Sequence, residues 1–136
     1  MDTIADMLTR IRNATAVKKP ELVLPYSRLK YQVAKVLEQE KYLLKVEKLA
    51  AASEVSEGPR YDRLRLLLKY RSNGAPYIRH ISRVSKPSQR VYVTVDSLPS
   101  VLNGLGLAVL STSKGLMTNR QARQQRLGGE VMMEIW

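Results

Sequence analysis

The sequence contains no cysteine and no phenylalanine, and only one tryptophan and one histidine. Without cysteine there is no disulfide framework, no zinc knuckle and no thiol catalysis. A lone histidine, His80, excludes a multi-histidine metal site. The longest stretch free of charge, Ser97 to Ser113, has 17 residues and is interrupted by Pro99, Asn103, Gly104 and Gly106. It does not read as a membrane span. The chain opens Met1-Asp2 and turns amphipathic at once. A secretory leader would show a basic start followed by an apolar run, so none is expected and a cytoplasmic protein is the default. Acidic side chains are scarce as well. Twelve Asp and Glu face 23 Lys and Arg, for a net charge of +11 and a pI near 10.1. Such a balance points to a polyanionic partner, either nucleic acid or an anionic membrane surface.

What remains is ordinary for a globular chain. The sequence has 136 residues, 44% of them hydrophobic. That is enough for one compact domain, or for two small halves, with a real core. The charge is unevenly placed. Residues 60 to 126 carry thirteen Lys and Arg against Asp62 and Asp96 only, so the whole excess lies there. A solvated face is the plain alternative, but a segment this poor in acids repels itself without an anionic partner. A smaller basic zone runs from Arg10 to Lys35, opposed only by Glu21.

The periodicity predicts an α+β fold of two small subdomains. Ile4, Met7, Leu8 and Ile11 form one apolar helical stripe, with Thr3 and Asp6 at capping-box spacing. Arg10 and Asn13 lie off that stripe. Lys19-Pro20 breaks the helix, and a short strand, Leu22 to Leu24, runs up to Pro25. Ser27 caps a second helix with Leu29, Val33, Val36 and Leu37 on its inner face. Tyr42 to Leu49 and Arg63 to Tyr70 read as a strand pair, the second alternating Leu64, Leu66 and Leu68 with Arg65, Leu67 and Lys69. The connection from Ala50 to Arg60 reads as a mobile loop. Punctuation at Arg71-Ser72-Asn73-Gly74 divides the chain into an N-terminal αβαββ subdomain, 1–71, and a C-terminal, mostly antiparallel β subdomain with short helices, 72–136. In the latter, short strands are expected near Ile78 to Val84 and Arg90 to Val95. A helical turn is expected after Leu98-Pro99, and a buried strand over Leu107 to Leu110 that runs into a polar loop. A small helix capped by Thr118 and Gln121 and a last strand, Val131 to Trp136, complete the order.

The segment Asn103 to Gly115 carries the sharpest chemistry. A dry strand delivers Ser111, Thr112, Ser113, Lys114 and Gly115 to one loop. The hydroxyls donate and accept, which suits base edges and ribose 2′-OH groups. Lys114 suits a phosphate, and Gly115 lets main-chain amides come close. The plain alternative is a Ser/Thr-rich turn that merely ends a strand. Two enzyme-like matches are weak. Ser111-x-x-Lys114 lacks the supporting elements of serine β-lactamases. Gly104-x-Gly106 lacks a third glycine and precedes a strand instead of a helix. A second cluster gathers Arg83, Ser85, Lys86 and Arg90 at a hairpin end around Pro87, followed by Tyr92, whose ring suits stacking. Arg120, Arg123 and Arg126 recur at steps of three, suited to phosphate contact or to docking a protein neighbour. Glu130 suits either a base amino group or a neighbouring arginine.

These motifs in this order resemble the family of the eighth protein of the small ribosomal subunit, in its bacterial form. The resemblance spans nearly the whole chain. It rests on Asp6-Met-Leu-Thr-Arg-Ile-Arg-Asn-Ala14, Arg83-Val-Ser-Lys-Pro87, Leu102-Asn-Gly-Leu-Gly106, Leu110-Ser-Thr-Ser-Lys-Gly115 with Met117-Thr118, and Leu127-Gly-Gly-Glu130. It implies a non-enzymatic protein that binds the central domain of the small-subunit (16S) rRNA as an early assembly step. It also implies neighbours among the small-subunit proteins, the fifth and the twelfth, and in some members repression of their own messenger. The family's Ser-Thr-Ser loop maps onto Ser111, Thr112 and Ser113, and its basic hairpin onto Arg83, Ser85, Lys86 and Arg90. Some positions depart from the pattern. Lys41 replaces a glycine before Tyr42, Ser88 a glycine after Pro87, Asn119 an aspartate, and Met133-Glu134 a Cys-Tyr pair, while the loop from Ala50 to Arg60 is longer.

The expectation is therefore RNA binding through Ser111, Thr112, Ser113, Lys114, Gly115, Arg83, Ser85, Lys86, Arg90, Tyr92, Arg10, Asn13 and Glu130. No catalytic residue, metal, cofactor, membrane or small-molecule substrate is expected. The place is the ribosome in the cytoplasm, with an organellar ribosome left open. The rival is a nucleoid or membrane-surface binder driven by charge alone.

Overall fold

The structure, a computed structural model, describes residues 2–52, 58 and 60–136. Most of the expected Ala50 to Arg60 loop lies outside the described residues. The fold is α+β, with three helices and eight strands among the described residues and every strand pairing antiparallel. By contacts the chain forms two compact units, Thr9–Tyr77 and Ile78–Trp136, the latter joined by the residues through Leu8. The division therefore falls somewhat later than the Arg71–Gly74 punctuation, and it also passes through the first helix. No helix of the described residues is long and apolar enough to cross a membrane.

That helix, α1 (Thr3–Ala16), buries Ile4, Met7, Leu8 and Ile11, as its stripe predicts. Its cap is not the expected Thr3–Asp6 pair. Asp2 Oδ1 accepts from the N–H groups of Ile4 and Ala5, both at 3.1 Å. A carboxylate at that position meets two orphan donors and the positive end of the helix dipole together.

In Thr9–Tyr77, β1 (Glu21–Pro25) and β2 (Leu43–Leu49) flank β3 (Arg63–Leu68) in a three-stranded sheet. Leu64, Leu66 and Leu68 are buried while their alternates are half-buried, which follows the pleat. Helix α2 (Arg28–Gln39) is capped by Ser27, whose Oγ accepts from Lys30 N–H. Its buried face is Lys30, Val33, Ala34, Val36 and Leu37, and the expected Leu29 lies outside. The lysine stem takes the inner position because a long aliphatic chain can lie along a core edge with its ammonium at the rim. The helix ends on Lys41 at φ 66°, where Lys41 N–H donates to Glu38 and Tyr42 N–H to Leu37. This is the pairing that usually takes glycine, so the lysine accepts left-handed angles instead of ending the helix differently.

The other unit is built on β8 (Gly129–Ile135), which pairs with β4 (Ile81–Arg83), β5 (Tyr92–Val93) and β6 (Leu107–Thr112). Strand β7 (Gly115–Thr118) pairs on the far edge of β6. The expected dry strand is real, with Leu107, Ala108, Val109 and Leu110 all buried. It does not run into a loop at Ser111, however. Ser111 and Thr112 belong to β6, and Ser113 and Lys114 alone form the turn into the unexpected β7. A core of Val101, Ala108, Leu110, Met117, Ala122 and Val131 backs this hairpin. Helix α3 (Asn119–Gln125) carries the expected capping box of Thr118 and Gln121.

Candidate nucleic-acid interface

The β6–β7 hairpin presents the hydroxyl cluster at its turn. Ser111 and Thr112 are half-buried, while Ser113, Lys114 and Gly115 are exposed. Thr112 Oγ1 donates to Gly115 O at 2.8 Å and accepts from Lys114 N–H at 3.1 Å. That pair of bonds fixes the turn, so the Thr112 hydroxyl shapes the tip while Ser113 and Lys114 face outward. Gly115 sits at φ 102°, which few L side chains adopt. Ser111 pairs with Glu130 on β8, and Glu130 pairs with Tyr92 on β5. Directly paired residues share one face of a sheet. Tyr92, Glu130 and Ser111 therefore stand in one row across three strands. Tyr92 is 70% exposed, which suits its ring to stacking.

Two glycines make this row possible. Gly128 precedes β8 and Gly129 opens it, and a Cβ on Gly129 would collide with the backbone carbonyl of Ser111. One on Gly128 would collide with the carbonyl of Val93. The Leu127-Gly-Gly-Glu130 motif thus lets β8 lie close to both neighbours at the level of the row. Glu130, whose two possible roles the sequence left open, holds an arginine: Arg90 Nη1 lies 3.4 Å from its Oε1. A carboxylate within the row thus places a guanidinium at its edge.

The second cluster divides. Lys86 and Gln89 bridge across a Pro87-Ser88 turn, with Lys86 and Arg90 exposed. Arg83 and Ser85 are occupied inside the unit instead. Arg83, its side chain only 9% exposed, donates from Nε to Asp2 Oδ2 at 2.9 Å and from Nη1 to Met132 O at 2.6 Å. Ser85 is fully buried, and its Oγ accepts from Val91 N–H at 3.1 Å. That bond ties the two arms of the hairpin below its tip. Neither residue presents its polar atoms outward, so both drop out of the candidate contact set. The physical reason is tertiary: the segment lies against β8, with Val84 and Ser85 N–H both donating to it, and the two polar side chains find partners inside the unit.

Burial by itself would raise the Asp2 carboxyl. Hydrogen bonds from Ala5 N–H and Arg83, the Arg83 charge and Ile4 N–H outweigh it, so the group sits below its ordinary value of 3.8. The Asp2–Arg83 pair is accordingly an ionised clamp.

In the other unit, Arg10 and Asn13 are exposed on α1 and line an open concavity with Ala14, Val17, Lys19 and Leu22. Lys19, part of the Arg10 to Lys35 basic zone but not of the expected contact set, joins them in that lining. Asn119, noted from the sequence only as a departure from aspartate, has a structural part. Buried at 3% exposure, its side chain donates to Pro99 O at 2.9 Å and accepts from Ala108 N–H at 3.2 Å. An amide does both, whereas an ionised carboxylate only accepts. Among the described residues no group of three or more His, Cys, Asp and Glu side chains is placed to hold a metal.

Comparison with known proteins identifies the family. The family model for ribosomal protein S8 matches residues 2–136. The chain is 48% identical over 135 residues to the small ribosomal subunit protein uS8 of an Exiguobacterium species, covering 99% of this chain and 97% of that one. It is 45% identical over 135 residues to the protein of that name from Streptococcus pyogenes, with the same coverage. The Acholeplasma laidlawii protein is 43% identical over 137 residues, again at 99% and 97%. With a family match over nearly its full length and relatives well above 30% identity, the chain belongs to the ribosomal protein S8 family.

Proposed function

We propose that this protein is a structural constituent of the small ribosomal subunit and binds the central domain of small-subunit (16S) rRNA directly, as an early assembly step. The observation that carries the reading is the row Tyr92–Glu130–Ser111 with the Ser113–Lys114 turn at its end. It sets an exposed tyrosine, hydroxyls and flanking cations at one end of the sheet. Hydroxyls and a stacking ring select irregular RNA, where bases leave ordinary pairing and the 2′-OH is exposed. Lys114, Lys86 and Arg90 supply attraction to phosphates without reading sequence. The contact set is Ser111, Thr112, Ser113, Lys114, Gly115, Lys86, Arg90 and Tyr92, with Glu130 holding Arg90. Arg10 and Asn13 of the other unit add a second basic surface. On this reading the chain acts by binding and not by turnover, at the ribosome of the bacterial cytoplasm, beside other small-subunit proteins such as the fifth and the twelfth. An RNA stem of the same shape in its own messenger would occupy the same residues and repress translation.

The test is footprinting on small-subunit rRNA combined with Ser113→Ala. Protection of an irregular central-domain stem is expected, with about 1 kcal/mol or more of binding lost in the variant, the cost of one hydrogen bond at an interface. Equal competition by duplex DNA or anionic vesicles would favour a binder driven by charge alone and defeat the reading.

A further inference from the structure

The turn that precedes β6 is strained, braced and apolar at its tip. Leu102, Asn103 and Gly104 have φ values of 46°, 52° and 89°, three left-handed residues in succession. Asparagine and glycine tolerate this, but a leucine resists it because its Cβ crowds the following carbonyl. The strain is held from both sides. Gly104 and Gly106 N–H donate to Val101 O at 3.0 and 3.1 Å, and Leu105 N–H to Leu102 O at 3.1 Å. Val101 belongs to the core. Asn119 grips Pro99 on one leg and Ala108 on the other. The Arg120 guanidinium donates to Gly104 O. This bracing holds Leu105 81% exposed and Leu102 45% exposed. Strain that the surroundings over-determine marks a functional segment. The unit gains little burial from Leu105.

Charge names the partner's complement. Residues 97–129 contain no Asp or Glu, Arg120 is bonded to the turn at Gly104, and Arg123 stands exposed one helical turn further along α3. We propose that the 102–105 turn is a docking anchor for a protein partner that receives Leu105 in an apolar pocket, with carboxylates opposite Arg120 and Arg123. RNA offers phosphates, hydroxyls and aromatic faces but no aliphatic pocket, so the leucines select protein. The inference rests on the chain being built into the small subunit, where protein neighbours surround it. It assigns the α3 arginines to protein docking and not to phosphate contact.

The test uses the full chain in two arms. In the first, wild type, Leu105→Asp and Arg123→Glu are compared for affinity to naked small-subunit rRNA and for incorporation into small subunits in competition with wild type. Both positions are exposed, so melting temperatures should match. The expected result is rRNA affinity within about twofold and incorporation reduced about tenfold or more, the loss of one leucine from a pocket. In the second, a photoreactive benzoylphenylalanine at position 105 should crosslink to a protein. A crosslink to rRNA, equal incorporation of Leu105→Asp, or weaker naked-rRNA binding by Arg123→Glu overturns the inference. Tight rRNA binding by wild type with indifferent Leu105→Asp overturns docking alone. Failure of wild type to bind rRNA overturns the functional reading, and docking with it.

Discussion

Gly129→Ala isolates the contact on which the Tyr92–Glu130–Ser111 row, the proposed binding row, depends. The added Cβ would overlap the Ser111 carbonyl oxygen and press on Ser111 C at 3.1 Å and Thr112 Cγ2 at 3.2 Å. The first obstacle is backbone within a paired ladder, so no side-chain rotation relieves it. Gly129 does not occupy left-handed space, so the whole effect is steric. Forcing a methyl into such a site costs about 1–3 kcal/mol. That is a minor part of the roughly 5–15 kcal/mol that stabilises a typical domain, so the variant still folds. Differential scanning calorimetry should show a melting point lower by about 5–10 °C. The only way to accommodate the methyl is to move β6 away from β8 at Ser111, which shifts the hydroxyl tip relative to Tyr92 and Glu130. Titration against the central-domain stem should therefore show a larger loss than Ser113→Ala produces. A sharper contrast comes from Gly115→Ala, whose Cβ meets nothing within 4 Å and whose cost is the φ of 102° alone. If Gly129→Ala kept both its melting point and its RNA affinity, the close packing of β8 on β6 would not be what positions the row.

Further outcomes follow from other parts of the structure. Lys114→Ala should weaken binding to all RNAs alike and lower the slope of log affinity against log salt by about 0.7–0.9, one phosphate's share; an unchanged slope with lost discrimination would contradict its phosphate role. Lys41→Gly should raise stability by about 0.5–1 kcal/mol in urea unfolding, because glycine adopts the left-handed angles there without a Cβ penalty; a destabilised variant would mean the lysine stem packs more than its backbone strains. Asp2→Ala should cost about 1 kcal/mol through the lost cap. The Asp2 carboxyl lies below 3.8 when folded, so its contribution is present above that value and lost as the pH falls through the lower folded one. The melting-point gap between wild type and Asp2→Asn should therefore be full at neutral pH and close below about pH 3.8; a gap that persists in strong acid would rule out the ionised clamp.

Much of the fold is legible in the sequence because it depends on neighbours a few residues apart. The Ile4–Ile11 stripe, the Ser27 and Thr118 caps and the alternation of Leu64, Leu66 and Leu68 are all of this kind. The errors are local too. A carboxylate one residue earlier outcompeted Thr3 as the cap, and Leu116-Met117 is too short a run to announce β7 once a two-residue turn precedes it. The candidate site was legible as a set of residue types. Ser113, Lys114, Lys86 and Tyr92 stand exposed where the motifs imply.

The fate of each polar residue was decided elsewhere. Composition and charge placed the basic excess after residue 60, and the hydrophobic period set which segments become helix or strand. Those properties follow from the chain's own local geometry and need no partner. Arg83 meets Asp2 from 81 positions away, Arg90 meets Glu130 from 40, and Asn119 reaches Pro99 from 20. No local rule tells an arginine aimed at phosphate from one folded onto a distant carboxylate. That distinction, together with the need for glycine at 129 and the left-handed turn that lifts Leu105 into solvent, exists only once the strands have paired.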